Sequence, residues 1–221
     1  MQRIPEPELM DSEAQTLAYA QSDFSESNQM FVDLLLARFT ELPTSGIAWD
    51  LGCGPADITI RLAAALPGWK LTGVDAGANM LQRAHEALRD SPQAPQISLQ
   101  QSYLPDPDLP AAHCDLLLSN SLLHHLPDPD SLWQSIRHLG KSGARVMVMD
   151  LYRPANTNIA ESLVEEYTAD APEVLKTDFY NSLLAAWTVE EIAQQLKQNG
   201  LSQLHLETPS DRHWLVSGTL T

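Results

Sequence analysis

Cations are scarce in this chain: of 221 residues only 13 are Lys or Arg, against 29 Asp and Glu, for a formal charge of −16 at pH 7. A surface under that field repels phosphate backbones, whose binding rests on cationic contacts, so no nucleic-acid partner is expected. Cysteine is scarcer still. Cys53 and Cys114 form neither a metal-type pair nor a disulfide framework, and they fit a reducing compartment as small core residues. No stretch of about 18 uninterrupted apolar residues occurs, so no membrane span is expected, and the acidic opening MQRIPEPELMDSEAQ has no apolar run of signal-peptide length. These absences point to a soluble, cytoplasmic protein. What is present is a composition of 43% hydrophobic and 19% charged residues, which has the apolar content to offset chain entropy and the length for one α/β domain. A peptide hormone or knottin is excluded.

Periodicity divides the chain into three stretches. Residues 1–45 are polar to amphipathic, with Leu17, Phe24, Met30, Phe31, Leu34 and Leu35 at helical spacings, and read as an N-terminal helical cap of the same domain. From residue 46 strands and helices alternate. Ile47–Leu51 is a short apolar strand, and Ile58, Leu62 and Leu66 stripe the helix after it. Lys70–Asp75 is a second strand; Met80, Leu81, Ala84 and Leu88 mark a second helix; Ile97–Gln101 is a third, weakly marked strand. His113–Asn120 carries the continuous apolar run of a strand buried on both faces. Asp128 is expected to cap, and Pro129 to open, a helix bearing Leu132, Trp133, Ile136 and Leu139 ahead of a fifth strand at Arg145–Asp150. Residues 151–187 show no strand pattern and read as a lid or substrate insertion. Thr188 and Glu191 make a capping box for a helix that Gly200 stops, and Leu201–Glu207 and His213–Thr219 form a closing antiparallel hairpin across the turn TPSDR. The expectation is a seven-stranded, mostly parallel, Rossmann-like sheet with strand 7 antiparallel and helices on both faces, the domain running over 46–221.

Chemistry concentrates in Asp50-Leu-Gly-Cys-Gly-Pro-Ala-Asp57, between the first strand and the first helix, where an α/β sheet meets its ligand against a helix N-terminus. Gly52 and Gly54 remove side chains that would keep a ligand off the backbone. A glycine pair alone fits an ordinary tight turn equally well; Asp75, ending the second strand, adds a carboxylate suited to both hydroxyls of a ribose.

Asp50-Leu-Gly-Cys-Gly-Pro, then Gly73-Val-Asp75 with Asn79-Met80-Leu81, then Asp115–Ser119 running into Leu122-Leu-His-His-Leu-Pro-Asp128 closely resemble class I S-adenosylmethionine-dependent methyltransferases of the small stand-alone, type 11/12-like kind. The resemblance covers about residues 45–150 and extends to the closing hairpin. It implies S-adenosyl-L-methionine as cofactor, with Asp50, Gly52 and Gly54 along the methionine moiety, Asp75 on the ribose, Ala76 and Met80 against the adenine, and Asn120 beneath the methionine end. Ser102-Tyr103-Leu104 stands where the family often has an aspartate for the adenine amino group, so Tyr103 and Leu104 are the expected contacts there. A dinucleotide-binding reductase competes less well: its third glycine is replaced by Asp57, whose charge would oppose a pyrophosphate.

For the acceptor, His124 and His125 follow the fourth strand, and His124 and His213 are candidate general bases, set against a packing role for the His-His-Leu stretch. Tyr152 and Arg153 after the fifth strand, Arg212 at the hairpin turn, and Tyr180 and Asn181 in the insertion are the candidate substrate groups, for a small polar metabolite with an anionic end. Surface salt bridges are the plainer reading of both arginines. His85 and His138 are expected to be solvated or packed on helices, and Trp133, Trp187 and Trp214 to be core. The scattered carboxylates show no metal-ligand constellation, so no metal is expected. Two other functions remain open: an enzyme that modifies the cofactor itself, as carboxy-SAM synthases do, and a non-catalytic cofactor-binding partner subunit. Nothing in the sequence sets an oligomeric state.

Overall fold

The computed structural model describes residues 1–6, 11–13, 16–17 and 24–221. The parts of the expected N-terminal cap at 7–10, 14–15 and 18–23 lie outside the described residues. In chain order the main elements are α1 (Ser25–Arg38), β1 (Ile47–Leu51), α2 (Asp57–Ala65), β2 (Lys70–Asp75), α3 (Ala78–Arg89), β3 (Ile97–Gln101), β4 (Cys114–Asn120), α4 (Asp130–Leu139), β5 (Gly140–Leu151), α5 (Thr157–Thr168), α6 (Glu173–Ala185), α7 (Val189–Gln198), β6 (His205–Glu207) and β7 (His213–Thr219).

The strands form one sheet in the order β3-β2-β1-β4-β5-β7-β6. β1 pairs in parallel with both β2 and β4, while β7 runs antiparallel to both β5 and β6. Side chains alternate across the sheet as strand geometry requires. Trp49, Leu117, Val146, Val148, Trp214 and Val216 pack on one face against Leu132, Trp133 and Ile136 of α4 and Ile192 and Leu196 of α7. The intervening residues Ala48, Leu116, Leu118, Met147, Met149 and Leu215 pack on the other against Phe31 and Leu35 of α1 and Leu62 and Ala63 of α2. Both cysteines are free and buried, and no described helix is long and apolar enough to cross a membrane.

Several boundaries differ from the sequence reading. The α4 helix starts at Asp130 with Pro129 in the cap position, and the Asp128 carboxylate accepts the Asp130 N–H instead of serving as the cap itself. β5 begins directly at Gly140, since Cys114 and Gly140 pair across a register shift ahead of the regular ladder. β6 is shorter than expected because Leu201 and Leu204 close a turn (Leu204 N to Leu201 O, 3.0 Å or less) that tucks both side chains into the core. The insertion at 151–187 is helical: α5 and α6 enclose a small cluster of Leu151, Ala160, Leu163, Leu183 and Ala186.

The capping box of α7 is present in full: Thr188 Oγ1 accepts from Glu191 N, and the Glu191 carboxylate accepts from Thr188 N. The other Glu191 oxygen receives the Arg153 guanidinium at 2.8 Å, and Arg153 also donates to Ala186 O at 2.9 Å. Loss of a cap hydroxyl costs about 1 kcal/mol, whereas leaving a buried cation without its carboxylate costs more. Thr188→Ala should therefore destabilise the protein by about 1 kcal/mol and Glu191→Ala by clearly more, read as midpoints of urea unfolding at equal slope.

Candidate active site

The chain crosses from β3 back to β4 beside β1, so the carboxyl ends of β1 and β4 form the switch point at which α/β sheets open a crevice. Opening there is a cavity of about 1090 Å³, larger than the usual range for one drug-sized ligand of roughly 300–1,000 Å³. Asp50, Gly52, Gly54, Asp75, Ala76, Met80, Tyr103, Leu104 and Asn120 all line it, as do His124, His213 and Arg212.

The loop after β1 is held by main-chain bonds from Gly52 and Cys53 N–H to Val74 O, and Gly52, Gly54 and Ala56 adopt φ of +74°, +52° and +67°. A Cβ on Gly52 would strike Leu122 at 2.7 Å, whereas one on Gly54 would meet nothing within 4 Å. Gly54 is thus the open wall of the cradle, and Gly52 is glycine for packing as well as for backbone conformation. The Asp75 carboxylate joins two loops: Oδ2 accepts from Gly54 N and Oδ1 from Gly77 N, both at 2.8 Å. Burial raises its pKa despite those two N–H donors. Each oxygen keeps a further lone pair, which is what two ribose hydroxyls need. Burial pushes the Asp50 carboxyl up to about 7, against the hydrogen bond from Thr59 Oγ1 at 2.5 Å. At the tip of β4 Asn120 Oδ1 is buried with no hydrogen-bond partner among the described residues, an acceptor facing a cavity. An orphaned acceptor, an ionisable carboxyl and an open glycine fit the ammonium-bearing methionine end of the expected cofactor.

The acceptor half departs further from expectation. Leu175, Asp178, Phe179 and Ser182 line the cavity along one face of α6. At 3.6 residues per turn that arrangement turns Tyr180 and Asn181 elsewhere, and neither lines the cavity; Tyr180 packs against the α5–α6 cluster. Tyr152 and Arg153 are also absent from the lining. The Tyr152 hydroxyl bonds Asp211 O, and Arg153 is committed to Glu191 and Ala186 O, because a buried guanidinium takes the nearest carboxylate. Arg212 does reach the cavity, with its guanidinium 3.4 Å from the Tyr167 ring centroid and an ion pair to Asp211 at 3.1 Å. Trp133 and Trp214 are fully buried, and Trp187 is partly buried, donating to Leu123 O at 3.3 Å. His85 is exposed and His138 bonds Leu109 O.

The histidines have unlike surroundings. Burial works against a charged His124 ring, but Asp150, 2.6 Å from Nδ1, and Glu6 outweigh it and raise the pKa above the ordinary value. The same contact lowers the Asp150 pKa against its own burial. His213 is held down to about 4 by burial and by Arg212, so its ring is neutral. Two backbone N–H groups, of Arg212 and His213, already point at Ser210 Oγ, which leaves the Ser210 hydroxyl to donate to His213 Nδ1. With its pKa lowered, His213 is a weaker base than an ordinary imidazole.

Sequence reasoning missed the N-terminal contribution. Glu6 lies 3.4 Å from His124 Nε2 and 3.3 Å from His125 Nδ1, and the Asp11 carboxylate accepts from Asn79 N and Met80 N at the start of α3. No motif surrounds either residue. The only signal was a polar, acidic opening.

Comparison with known proteins places these observations. Residues 49–146 match the family model described as a methyltransferase domain. A trans-aconitate 2-methyltransferase of Azoarcus sp. is 36% identical over 116 residues, covering 52% of this chain and 43% of that protein. Another, of Rhizobium meliloti, is 32% identical over 137 residues, 62% of this chain and 49% of that protein. The chain therefore spans about half the length of the curated relatives it matches. A SAM-dependent methyltransferase structure from Aquifex aeolicus superimposes with a TM-score of 0.69 at 13% identity, over 93% of this chain and 98% of that one. Sheet order and matched segment agree: residues 49–146 are similar to a methyltransferase domain, and the fold is the one seen in the SAM-dependent methyltransferase structure from Aquifex aeolicus.

Proposed function

We propose that the protein transfers the methyl group of S-adenosylmethionine to a small polar acceptor. The observation that carries this reading is the single cavity of about 1090 Å³ lined by Gly54, Asp75, Asn120, His124 and His213. When bound, the cofactor supplies a sulfonium methyl that is already activated for attack, so the protein's task is alignment and exclusion of water. Asp75 accepts from the ribose hydroxyls; Asp50 and Asn120 Oδ1 take the ammonium; Ala76, Met80, Tyr103 and Leu104 enclose the adenine. Residues 151–187 serve as a lid, with the Leu175–Ser182 face of α6 over the acceptor. Arg212, the arginine among the described lining residues, holds an anionic end of that acceptor. The trans-aconitate named for two relatives supports a small polar metabolite as the class. We place the activity in a reducing, cytoplasmic setting on the strength of the two free buried thiols.

Mass spectrometry of nucleotide released from denatured protein tests the cofactor. S-adenosylmethionine or its demethylated product agrees with transfer; a heavier, carboxylated species would move the assignment to cofactor modification. Asp75→Ala should weaken S-adenosylmethionine binding at least about tenfold by calorimetry, since each charge-assisted hydrogen bond is worth about 1.5–3 kcal/mol. Because Asp75 also holds Gly54 and Gly77, the variant should melt at a lower temperature as well.

A pH dependence follows from Asp50. Its carboxyl, at about 7, must ionise to receive an ammonium. The incoming α-ammonium, with an ordinary pKa of about 8, stays charged below that value. Affinity should therefore rise with pH, by up to about tenfold per unit below 7, level off between about 7 and 8, and fall above that as the ammonium loses its proton. Asp50→Asn should flatten the profile. A wild-type affinity independent of pH in this window would remove Asp50 from the ammonium site.

A further inference from the structure

His124 and His125 line the cavity, Glu6 lies beside them, and the ligand atoms of all three lie within 4.8 Å of one another. Glu6 arrives from the opposite end of the sequence and is delivered by an anchored segment. Ile4 N donates to Leu184 O at 3.0 Å, Arg3 donates to Ala185 O and to His124 O, and the Arg3 guanidinium lies 4.0 Å from the Trp187 ring centroid. Ser182 Oγ then donates to Glu6 Oε1 at 3.1 Å.

We propose that these three side chains form a binding site for one divalent cation of the zinc class, with its remaining coordination directed into the cavity. Three features carry this. First, bonds of about 2.0–2.2 Å in a tetrahedral shell put neighbouring ligand atoms roughly 3.3–3.5 Å apart. Glu6 Oε1 is already 3.4 Å from His124 Nε2 and 3.3 Å from His125 Nδ1. Second, His124 is oriented as metal-bound histidines are, its other nitrogen against a buried carboxylate. Asp150 Oδ1 is 2.6 Å from His124 Nδ1, and Asp150 is itself held by N–H groups of His124 and Leu151. With Nδ1 held against Asp150, a cation at Nε2 takes the place of the ring's second proton. Third, the set is shielded, with side-chain exposures of 11% for Glu6, 4% for His124 and 15% for His125, yet both rings line the cavity.

Two imidazoles and one carboxylate select a borderline ion such as Zn²⁺ over the all-oxygen shells of Ca²⁺ and Mg²⁺. A set of two histidines and one glutamate is moreover a catalytic type, since it leaves a position for water or substrate. On the proposed methyl transfer, the cation would bind an oxygen of the acceptor and favour its deprotonated form. That role rests on the functional reading; the metal site does not. The proposal departs from the expectation of no metal for a topological reason: the carboxylate beside the His-His pair comes from the N-terminal segment, and only the fold brings it there.

The test is titration of the full-length, metal-stripped protein with Co²⁺, followed by its visible d–d absorption. One equivalent should bind with a four- or five-coordinate spectrum and be displaced by Zn²⁺, and Zn²⁺ should raise the melting temperature of the wild type. Glu6→Gln and His125→Gln should each weaken Co²⁺ binding at least about tenfold, the size of a lost inner or supporting contact. His85→Gln, at an exposed histidine on α3, should leave it unchanged. A wild type with neither a Co²⁺ band nor a Zn²⁺-dependent melting shift overturns the site and makes the cluster an ion pair only; so does Co²⁺ binding that survives both substitutions. The wild-type measurements stand even if a variant fails to fold. Calorimetry with S-adenosylmethionine is read separately, so a protein that binds Co²⁺ but not the cofactor would sink the functional reading and keep the metal site.

Discussion

The Asp75 carboxylate is the tie on which this architecture turns. One oxygen holds the loop after β1 through Gly54 N, and the other holds the start of α3 through Gly77 N. Those two loops are the walls of the crevice at the switch point, and without a shared acceptor their amides would face a largely apolar interior unpaired. Asp11 adds a second acceptor at the same helix start, closing Asn79 N and Met80 N from the N-terminal side. The wall of the cavity around Asp75 is thus held by main-chain donors and a few carboxylate acceptors.

Charge management explains much of the rest. In a chain with so few cations, two are spent on structure: the buried Arg153 is locked to Glu191 at the start of α7, and the partly buried Arg3 bridges Ala185 O, His124 O and the Trp187 ring. Each joins the helical insertion to the sheet-borne core. Arg212 alone among the arginines borders the cavity within the described residues, and it is balanced there by Asp211 and Tyr167. Around Arg212 the cavity wall combines the imidazoles of His124 and His213 with Asp178, Ser182 and apolar side chains such as Leu151, Leu175 and Phe179.

The strap at residues 1–6 and the insertion at 151–187 are interdependent. Glu6 reaches the imidazoles of His124 and His125 through contacts that α6 supplies from Ser182, Leu184 and Ala185. Any shift of α6 relative to the sheet would move the strap, the Glu6 carboxylate and the Leu175–Ser182 wall together. The proposed lid and the proposed metal site therefore share one mechanical element.

The lining positions from Asp50 to Asn120 came largely from the family resemblance, while local pattern was enough for the alternating strands and helices, the antiparallel last strand, the glycine turn after the first strand, and the capping box at Thr188 and Glu191. Those features depend on neighbours a few residues away: an apolar period, a glycine turn, a cap, a carboxylate at a strand end. The acceptor half was not legible in the same way. Arg153 and Arg212 looked equivalent beside their strands, yet one is buried against Glu191 and the other borders the cavity. Tyr180 and Asn181 were separated from Asp178 and Phe179 by the phase of a helix whose existence no strand pattern announced. The turn brought the Ser210 hydroxyl within 2.8 Å of the His213 ring, and Glu6 joined His124 and His125 from the N-terminal segment. Such placements depend on which side chains compete for a carboxylate, a carbonyl or a lone pair across long sequence separations, and that competition is decided only when the chain is packed.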